Sequence, residues 1–220
     1  MFTKYGYGTL AFITFTVILI VVLALFLKND YLKYFIVTAS TLFLIFTIYF
    51  FRDPERVPPN KENVIVSPAD GKVLLIKNTS GNDFINEEAI QISVFMSPFD
   101  VHVNRIPISG KVEYLKYVEG KFLTAFNDKA DSENERNEIG ILSKHGKVFF
   151  TQVAGIFARR IISELKQGDS VKIAERFGMI KFGSRSDIVV PKNKWIPVVK
   201  EGEHVTAGKT IIFKLANEKN

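Results

Sequence analysis

Hydrophobic positions follow two different patterns along the chain. Residues 10–27 carry no charged side chain, and neither do residues 34–51. Each run is 18 residues long, which makes a helix of about 27 Å, near the lower limit for crossing a hydrocarbon core of roughly 30 Å. Neither run shows the polar stripe of a helix packed on a soluble core. A cleaved secretory signal would have a shorter apolar stretch ending in small residues, whereas the first run ends at Lys28-Asn-Asp30. The short polar link Lys28-Asn-Asp-Tyr-Leu-Lys33 turns the chain back, so residues 1–51 predict a transmembrane helical hairpin. Lys4, Arg52, Arg56 and Lys61 flank its open side against Lys28 and Lys33 in the link. That is a mild positive-inside vote for both ends on the cytoplasmic face of a cell membrane.

Beyond residue 51 the pattern changes. All eight prolines lie there, three of them in Arg52-Asp-Pro-Glu-Arg-Val-Pro-Pro-Asn60, so residues 52–63 read as a Pro-rich linker. From residue 64 short alternating runs between turn signals predict strands at 64–66, 72–76, 91–96, 101–106 and 111–118. A hairpin joins 139–142 to 147–153 about Lys144-His-Gly146, residues 127–137 form a long charged loop, and 154–164 fits a strand or a short helix. In Arg176-Phe-Gly-Met-Ile-Lys-Phe-Gly-Ser-Arg-Ser-Asp187, Gly178 and Gly183 interrupt a strand pattern, as at a bulge or a close backbone approach. Lys166-Gln-Gly-Asp-Ser-Val171 and Lys200-Glu-Gly-Glu-His-Val205 repeat as Lys-x-Gly-acid-x-Val. This resembles the turns of lipoyl- and biotinyl-type barrels. No lysine flanked by methionines stands at a hairpin tip, so the similarity is architectural. The predicted class is mainly β, a β-rich α+β domain over 64–220 with barrel or sandwich hairpins, preceded by the helical hairpin.

The absence of cysteine excludes disulfides, thiolate zinc sites and cysteine nucleophiles, and three histidines argue against a histidine-rich metal site. A net charge of +6 suits an anionic lipid surface, although many soluble proteins share it. No basic run is interleaved with stacking aromatics, which argues against nucleic acid. Asp70, in Ser67-Pro-Ala-Asp-Gly71, is what any tight turn would favour; its functional alternative is to orient a histidine. Strand alternation puts Asp100, His102 and Asn104 on one face, either a solvated face or a pocket wall with His102 as general base. His145 and His204 sit in turn contexts and read as surface residues. Arg159 and Arg160, with Lys181 and Arg185, fit a phosphate or carboxylate, or ordinary exposed ion pairing. Ser184 beside Gly183 is either a Gly-Ser turn or a hydroxyl brought onto an unshielded carbonyl.

Taken in order, several segments resemble the phosphatidylserine decarboxylase family, in its short prokaryotic membrane-bound branch. They are Arg52-Asp-Pro-Glu-Arg56, Ser67-Pro-Ala-Asp-Gly71, Met96-Ser-Pro-Phe-Asp-Val-His-Val-Asn-Arg-Ile-Pro107, Asp128-Lys-Ala130, Asn134-Glu-Arg-Asn137, Ala154-Gly155 with Ala158-Arg-Arg160, and residues 176–187.

The resemblance implies a proenzyme that cuts itself between Gly183 and Ser184. Ser184 becomes a pyruvoyl group at the head of fragment 184–220, and residues 1–183 remain as the anchored chain. No external cofactor and no metal are implied: a Schiff base between the substrate amine and the pyruvoyl carbonyl is the electron sink. Phosphatidylserine in the membrane would become phosphatidylethanolamine. His102 is then the base or proton donor, Asp70 its orienting partner, and Arg159 or Arg160 a contact for lipid phosphate. Longer members have a second histidine where Arg105 stands. Confinement to one bilayer favours contact between copies, so a homo-oligomer is compatible with this reading. Two alternatives stand beside it: a non-enzymatic barrel adaptor on a membrane hairpin, and the same chemistry on another serine-headed lipid.

Overall fold

The computed structural model describes residues 1–121, 123, 133–155, 160–181 and 184–216, in two compact units, Met1–Glu55 and Arg56–Asn220.

In the first unit a short 3-10 turn leads into α1 (Tyr7–Leu25), and α2 (Asp30–Phe50) returns antiparallel. Both helices are long and apolar enough to cross a membrane, and both are largely exposed along their length. The second helix starts earlier than the charge pattern suggested. Asn29 accepts the Leu32 N–H at 3.1 Å, and Lys33 reaches Asp30 at 2.8 Å. The cap and an acidic first turn draw these polar residues into the helix. The open end is tied by backbone bonds from Thr3 to Phe51 and from Asp53 to Met1.

The second unit is a β fold. Its strands are β1 (Val64–Val66), β2 (Gly71–Thr79), β3 (Ala89–Met96), β4 (Val103–Arg105), β5 (Gly110–Val118), β6 (Arg136–Ser143) and β7 (Gly146–Ala154). They continue as β8 (Ile161–Ser163), β9 (Ser170–Val171), β10 (Arg176–Ile180), β11 (Ser184–Pro191), β12 (Trp195–Pro197), β13 (His204–Val205) and β14 (Ile211–Leu215). Within the segment 154–164, residues 161–163 form a strand and residues 156–159 lie outside the described residues; the predicted β6–β7 hairpin is present.

The pairing is a palindrome. The large sheet runs β13-β2-β3-β11-β7-β6-β5-β9, and the small sheets run β1-β14-β12 and β4-β10-β8. Reversing the large sheet maps β11 onto β7, β3 onto β6, β2 onto β5 and β13 onto β9. The match extends to single bonds. Gly202 N–H meets Val73 O as Gly168 N–H meets Val112 O, each at 2.8 Å, and Gly208 N–H meets Ser67 O as Ala174 N–H meets Ile106 O, again at 2.8 Å. The Lys-x-Gly-acid-x-Val repeat supplies the two edge strands, β9 and β13. In each copy the acid caps the lysine N–H, Asp169 at 2.8 Å and Glu203 at 3.0 Å, and the glycine takes the left-handed conformation, φ 95° and 85°. Pro68-x-x-Gly71-Lys72-Val73 likewise matches Pro107-x-x-Gly110-Lys111-Val112.

One seven-strand half, β4 to β10, is therefore contiguous, while the other is split around it. In the contiguous half the turn Lys144-His145 joins β6 to β7. At the equivalent place, between β3 and β11, the whole of residues 97–183 is inserted. One apolar core serves both halves, with Ile92, Val94, Ile188 and Phe213 from one against Ile139, Ile141, Phe150 and Phe177 from the other.

Candidate active site

Of the sequence-predicted site residues, Ser184 lies on one of the two strands at the insertion point. Ser184 is the first residue of β11. Its Cα pairs with Met96, the last residue of β3, and with Ala154, the last of β7. Its side chain is buried, and its hydroxyl donates to Met96 Sδ at 3.1 Å. A thioether is a weak acceptor, so the hydroxyl is held without being committed to a strong one. Gly183 and Arg159 lie outside the described residues.

His102 lies on the entering connection, just before β4, and is fully buried. Its Nδ1 is 2.9 Å from Asp100 O. A carbonyl only accepts, so in the neutral ring Nδ1 carries the hydrogen and Nε2 is the basic nitrogen. The His102 carbonyl accepts the Ile180 N–H at 3.4 Å, which ties the entering connection to the end of β10, four residues before Ser184.

The expected single face of Asp100, His102 and Asn104 does not form. The chain turns at Ser97-Pro98, where Asp100 Oδ2 accepts the Ser97 N–H and hydroxyl at 2.8 and 2.7 Å. This local Asx-type turn takes Asp100 out of the strand, which begins only at Val103. Asn104 points into the core instead. Its Oδ1 accepts from Gln152 Nε2 at 3.0 Å, while Gln152 Oε1 accepts from Asn137 Nδ2 at 3.3 Å. Asn104 Nδ2 is 3.9 Å from the same Met96 sulfur that Ser184 uses. Gln152 and Asn137 were not expected. The available signal was an amide in a strand that is largely apolar from Val148 to Ala154, because a buried amide implies a partner.

The Gly178 bulge is present. The β10–β4 register shifts between Arg176 and Gly178, and a Cβ at Gly178 would lie 2.1 Å from Ile162 O and 2.9 Å from Gln152 Nε2. Only glycine allows β8 and the Gln152 amide to approach this closely.

Asp70 is held by two groups. Its Oδ1 accepts the Ala207 N–H at 2.8 Å, and its carboxylate takes Arg56 in a fork, through Nη1 on Oδ1 and Nη2 on Oδ2, the latter at 2.7 Å. Arg56 Nη1 also donates to Ala207 O at 2.8 Å. In the other half Ser109 occupies the equivalent position, and its hydroxyl accepts the Ile173 N–H at 2.9 Å. The turn role of Asp70 is thus shared between the halves, and the arginine clamp is peculiar to Asp70. Arg105, where longer relatives were expected to carry a second histidine, is buried and donates to Ala174 O at 3.0 Å.

Arg160 is exposed, and its carbonyl accepts the Lys181 N–H at 3.2 Å. Partial burial, and then the charge of Arg160, hold the Lys181 ammonium below its ordinary value. Arg185 does not join Arg160 and Lys181. It is buried against Asp187, with Nε to Oδ1 at 2.6 Å, because it follows Ser184 on a strand covered on both faces. His204 is exposed as expected, but His145 is half-buried, with its ring edge-on to Trp195 at 6.0 Å. A cavity of about 740 Å³ lies elsewhere, lined by Pro58, Lys61, Ile108 and His145; Ser184, His102 and Asp70 are not among its walls. Among the described residues no three acidic, histidine or cysteine side chains cluster as metal ligands would.

A family model described as phosphatidylserine decarboxylase matches residues 43–213. The chain is 46% identical to a phosphatidylserine decarboxylase proenzyme of Prosthecochloris aestuarii over 221 residues, 99% of each chain. It is similar to the proenzyme of the same name from Chlorobium limicola, 46% identical over 97% of this chain and 100% of the relative. With the protein of that name from Chlorobium chlorochromatii it shares 48% over 96% and 99%.

Proposed function

The chain belongs to the phosphatidylserine decarboxylase family, a family of carboxy-lyases, and from that premise we propose that it converts phosphatidylserine to phosphatidylethanolamine and carbon dioxide after cutting itself between Gly183 and Ser184. The observation that carries the reading is the buried Ser184 at the head of β11, beside an insertion whose entering connection holds a buried histidine.

In the processing step the Ser184 hydroxyl adds to the Gly183 carbonyl, and the C–N bond to Ser184 breaks to leave an ester and a free amine. His102, through Nε2, takes the hydroxyl proton. Removal of the Ser184 α-proton expels the Gly183 carboxylate. The dehydroalanine that remains tautomerises to an imine, and water converts it to the pyruvoyl group with release of ammonia. The residues fit such a group, since position 184 is fully buried and is paired to β3 and β7 on both sides. The pyruvoyl group supplies the electron sink for the carbanion left when carbon dioxide departs.

Asp70, fixed by Arg56 and Ala207, keeps the 67–71 turn in place against β4, where Arg105 N–H meets Pro68 O at 2.9 Å; in this reading that is how it orients His102, which immediately precedes β4. Arg159 and Arg160, with Lys181, would meet the lipid phosphate. Residues 1–51 anchor the enzyme in the cell membrane, 52–63 lead off the bilayer, and 64–220 form the catalytic domain on the cytoplasmic face.

Intact mass spectrometry of the purified protein beside a Ser184→Ala variant tests this. The expected result is two chains breaking at 183–184 in the wild type, the smaller lighter by one ammonia than a serine-headed fragment and reactive to carbonyl reagents. The variant should remain whole. A single chain in both samples, from folded protein, would leave a membrane-anchored adaptor as the better reading.

A further inference from the structure

The strand that begins at the cut has two contrasting faces. Ser184, Ser186, Ile188 and Val190 alternate towards one side, where Ile188 and Val190 join the main core. Arg185, Asp187 and Val189 take the other, where Val189 packs with Phe84, Ile85 and Phe149. On that second face lies a buried ion pair. The Arg185 and Asp187 side chains are 1% and 4% exposed. Besides Asp187, Arg185 donates through Nη2 to Ser93 Oγ at 2.9 Å, and Gln91 Nε2 donates to the same oxygen at 3.0 Å. Ser93 and Gln91 stand opposite Asp187 and Val189 on β3.

Burying two charges is a poor way to gain stability, because an apolar pair of the same volume serves as well or better. What such a pair does provide is register. A slip of β11 by one residue would exchange its faces, driving Arg185 and Asp187 into the apolar core beside Phe150 and Ile92. A slip of two would take Asp187 away from Ser93. Register matters here for a chemical reason, on the reading that the chain cuts itself before Ser184. Once the bond is broken, residue 184 is a chain terminus, and termini fray unless tied down. The pair sits one and three residues beyond position 184, and the Arg185–Ser93 bond then joins two separate chains.

We propose that Arg185 and Asp187, with Ser93, are positioning residues that hold position 184 in register after self-cleavage. The ion pair is dispensable while the chain is whole and required once it is cut.

The test is a full-length Arg185→Met/Asp187→Leu double variant, which replaces both charges together so that neither is left buried alone. Hydrogen exchange of the residue 185–189 amides is measured in the cut form and in a Ser184→Ala background that stays whole. Turnover on phosphatidylserine vesicles is normalised to reactive carbonyl. In the whole background the double variant is expected to exchange like its parent. In the cut form the same amides should exchange about tenfold faster or more, with a similar fall in turnover per carbonyl and with the rate of self-cleavage little changed. Ser93→Ala should move the cut form in the same direction by about threefold, and it decides the matter if the double variant does not fold. A purely stabilising role would change exchange equally in whole and cut chains, and that result overturns the proposal, as do cut variants indistinguishable from cut wild type. A wild-type chain that never cuts itself overturns the reading of the reaction as well, so the two failures are told apart.

Discussion

Replacing Arg56 by methionine removes the clamp on Asp70 and leaves the rest of the 67–71 turn intact. The Arg56 side chain is 4% exposed and that of Asp70 14%, so the change strands a mostly buried carboxylate. Breaking a fully buried pair from one side costs about 3–5 kcal/mol. Asp70 keeps its bond from Ala207 N–H and some water, which puts the expected loss near the lower end, about 3 kcal/mol. The pseudo-equivalent site provides an internal control. Ser109→Ala removes a single hydrogen bond to Ile173 N–H and should cost about 1 kcal/mol. The difference between the two variants isolates the arginine from the shared turn. Denaturant unfolding of the full chain in micelles, in a Ser184→Ala background so that one chain is followed, measures both. Trp195 is the sole tryptophan and is buried in the core, so its fluorescence reports this domain. An Arg56→Met loss no larger than that of Ser109→Ala would refute the reasoning, because the fork would then contribute nothing beyond the turn.

Two further perturbations follow from local geometry. Gly178→Ala places a methyl 2.1 Å from Ile162 O, so β8 must move off β10; an unfolding free energy lower by about 1–3 kcal/mol is expected, and an unchanged denaturation midpoint would contradict the close approach. Lys181 has a folded-state value held down by partial burial and by Arg160, against an unfolded value near 10.5. Between the two the unfolded chain binds more protons, so this lysine makes stability rise with pH, with its penalty fully present below the folded value and gone above 10.5. Denaturation midpoints measured from pH 8 upwards should therefore rise less steeply, on the alkaline side, in Lys181→Met than in the parent; identical slopes would show that Lys181 is not depressed.

Features set by neighbouring residues were legible in the sequence. The apolar runs gave α1 and α2, the alternation at 139–153 gave the β6–β7 hairpin, and Gly178 marked a bulge because nothing else fits against Ile162 O. Misreadings came where a local bond overrode periodicity. Asn29 capped a helix earlier than the charges suggested, and Asp100 closed on Ser97 when alternation would have kept it in a strand. Long-range pairing was not legible. The Lys-x-Gly-acid-x-Val repeat was visible, but its copies lie on β9 and β13, at opposite edges of one sheet, and only the register of the strands between them reveals the duplication. The amides of Asn104, Gln152 and Asn137 meet from three separate strands, so no spacing along the chain brings them together.

If the chain cuts itself as proposed, the duplication also explains how it could break before residue 184 without coming apart. Two halves that share one core need only a connection at the insertion point, and that connection occupies the place of a hairpin turn. Ser184 is the first strand residue beyond it, so a cut on its N-terminal side leaves the β11 pairing to β3 and β7 from residue 185 onward in place. Fragment 184–220 also retains β14 beside β1 and β13 beside β2, so that four strand pairings join it to the larger chain. A cut within any strand would have split a ladder. Two departures from symmetry stand out: Arg56 clamps Asp70 where Ser109 has no counterpart clamp in the described structure, and the two-residue turn at Lys144-His145 is matched by an insertion of residues 97–183. The architecture is duplicated, and these two differences between its halves involve the residues to which the proposed chemistry is assigned.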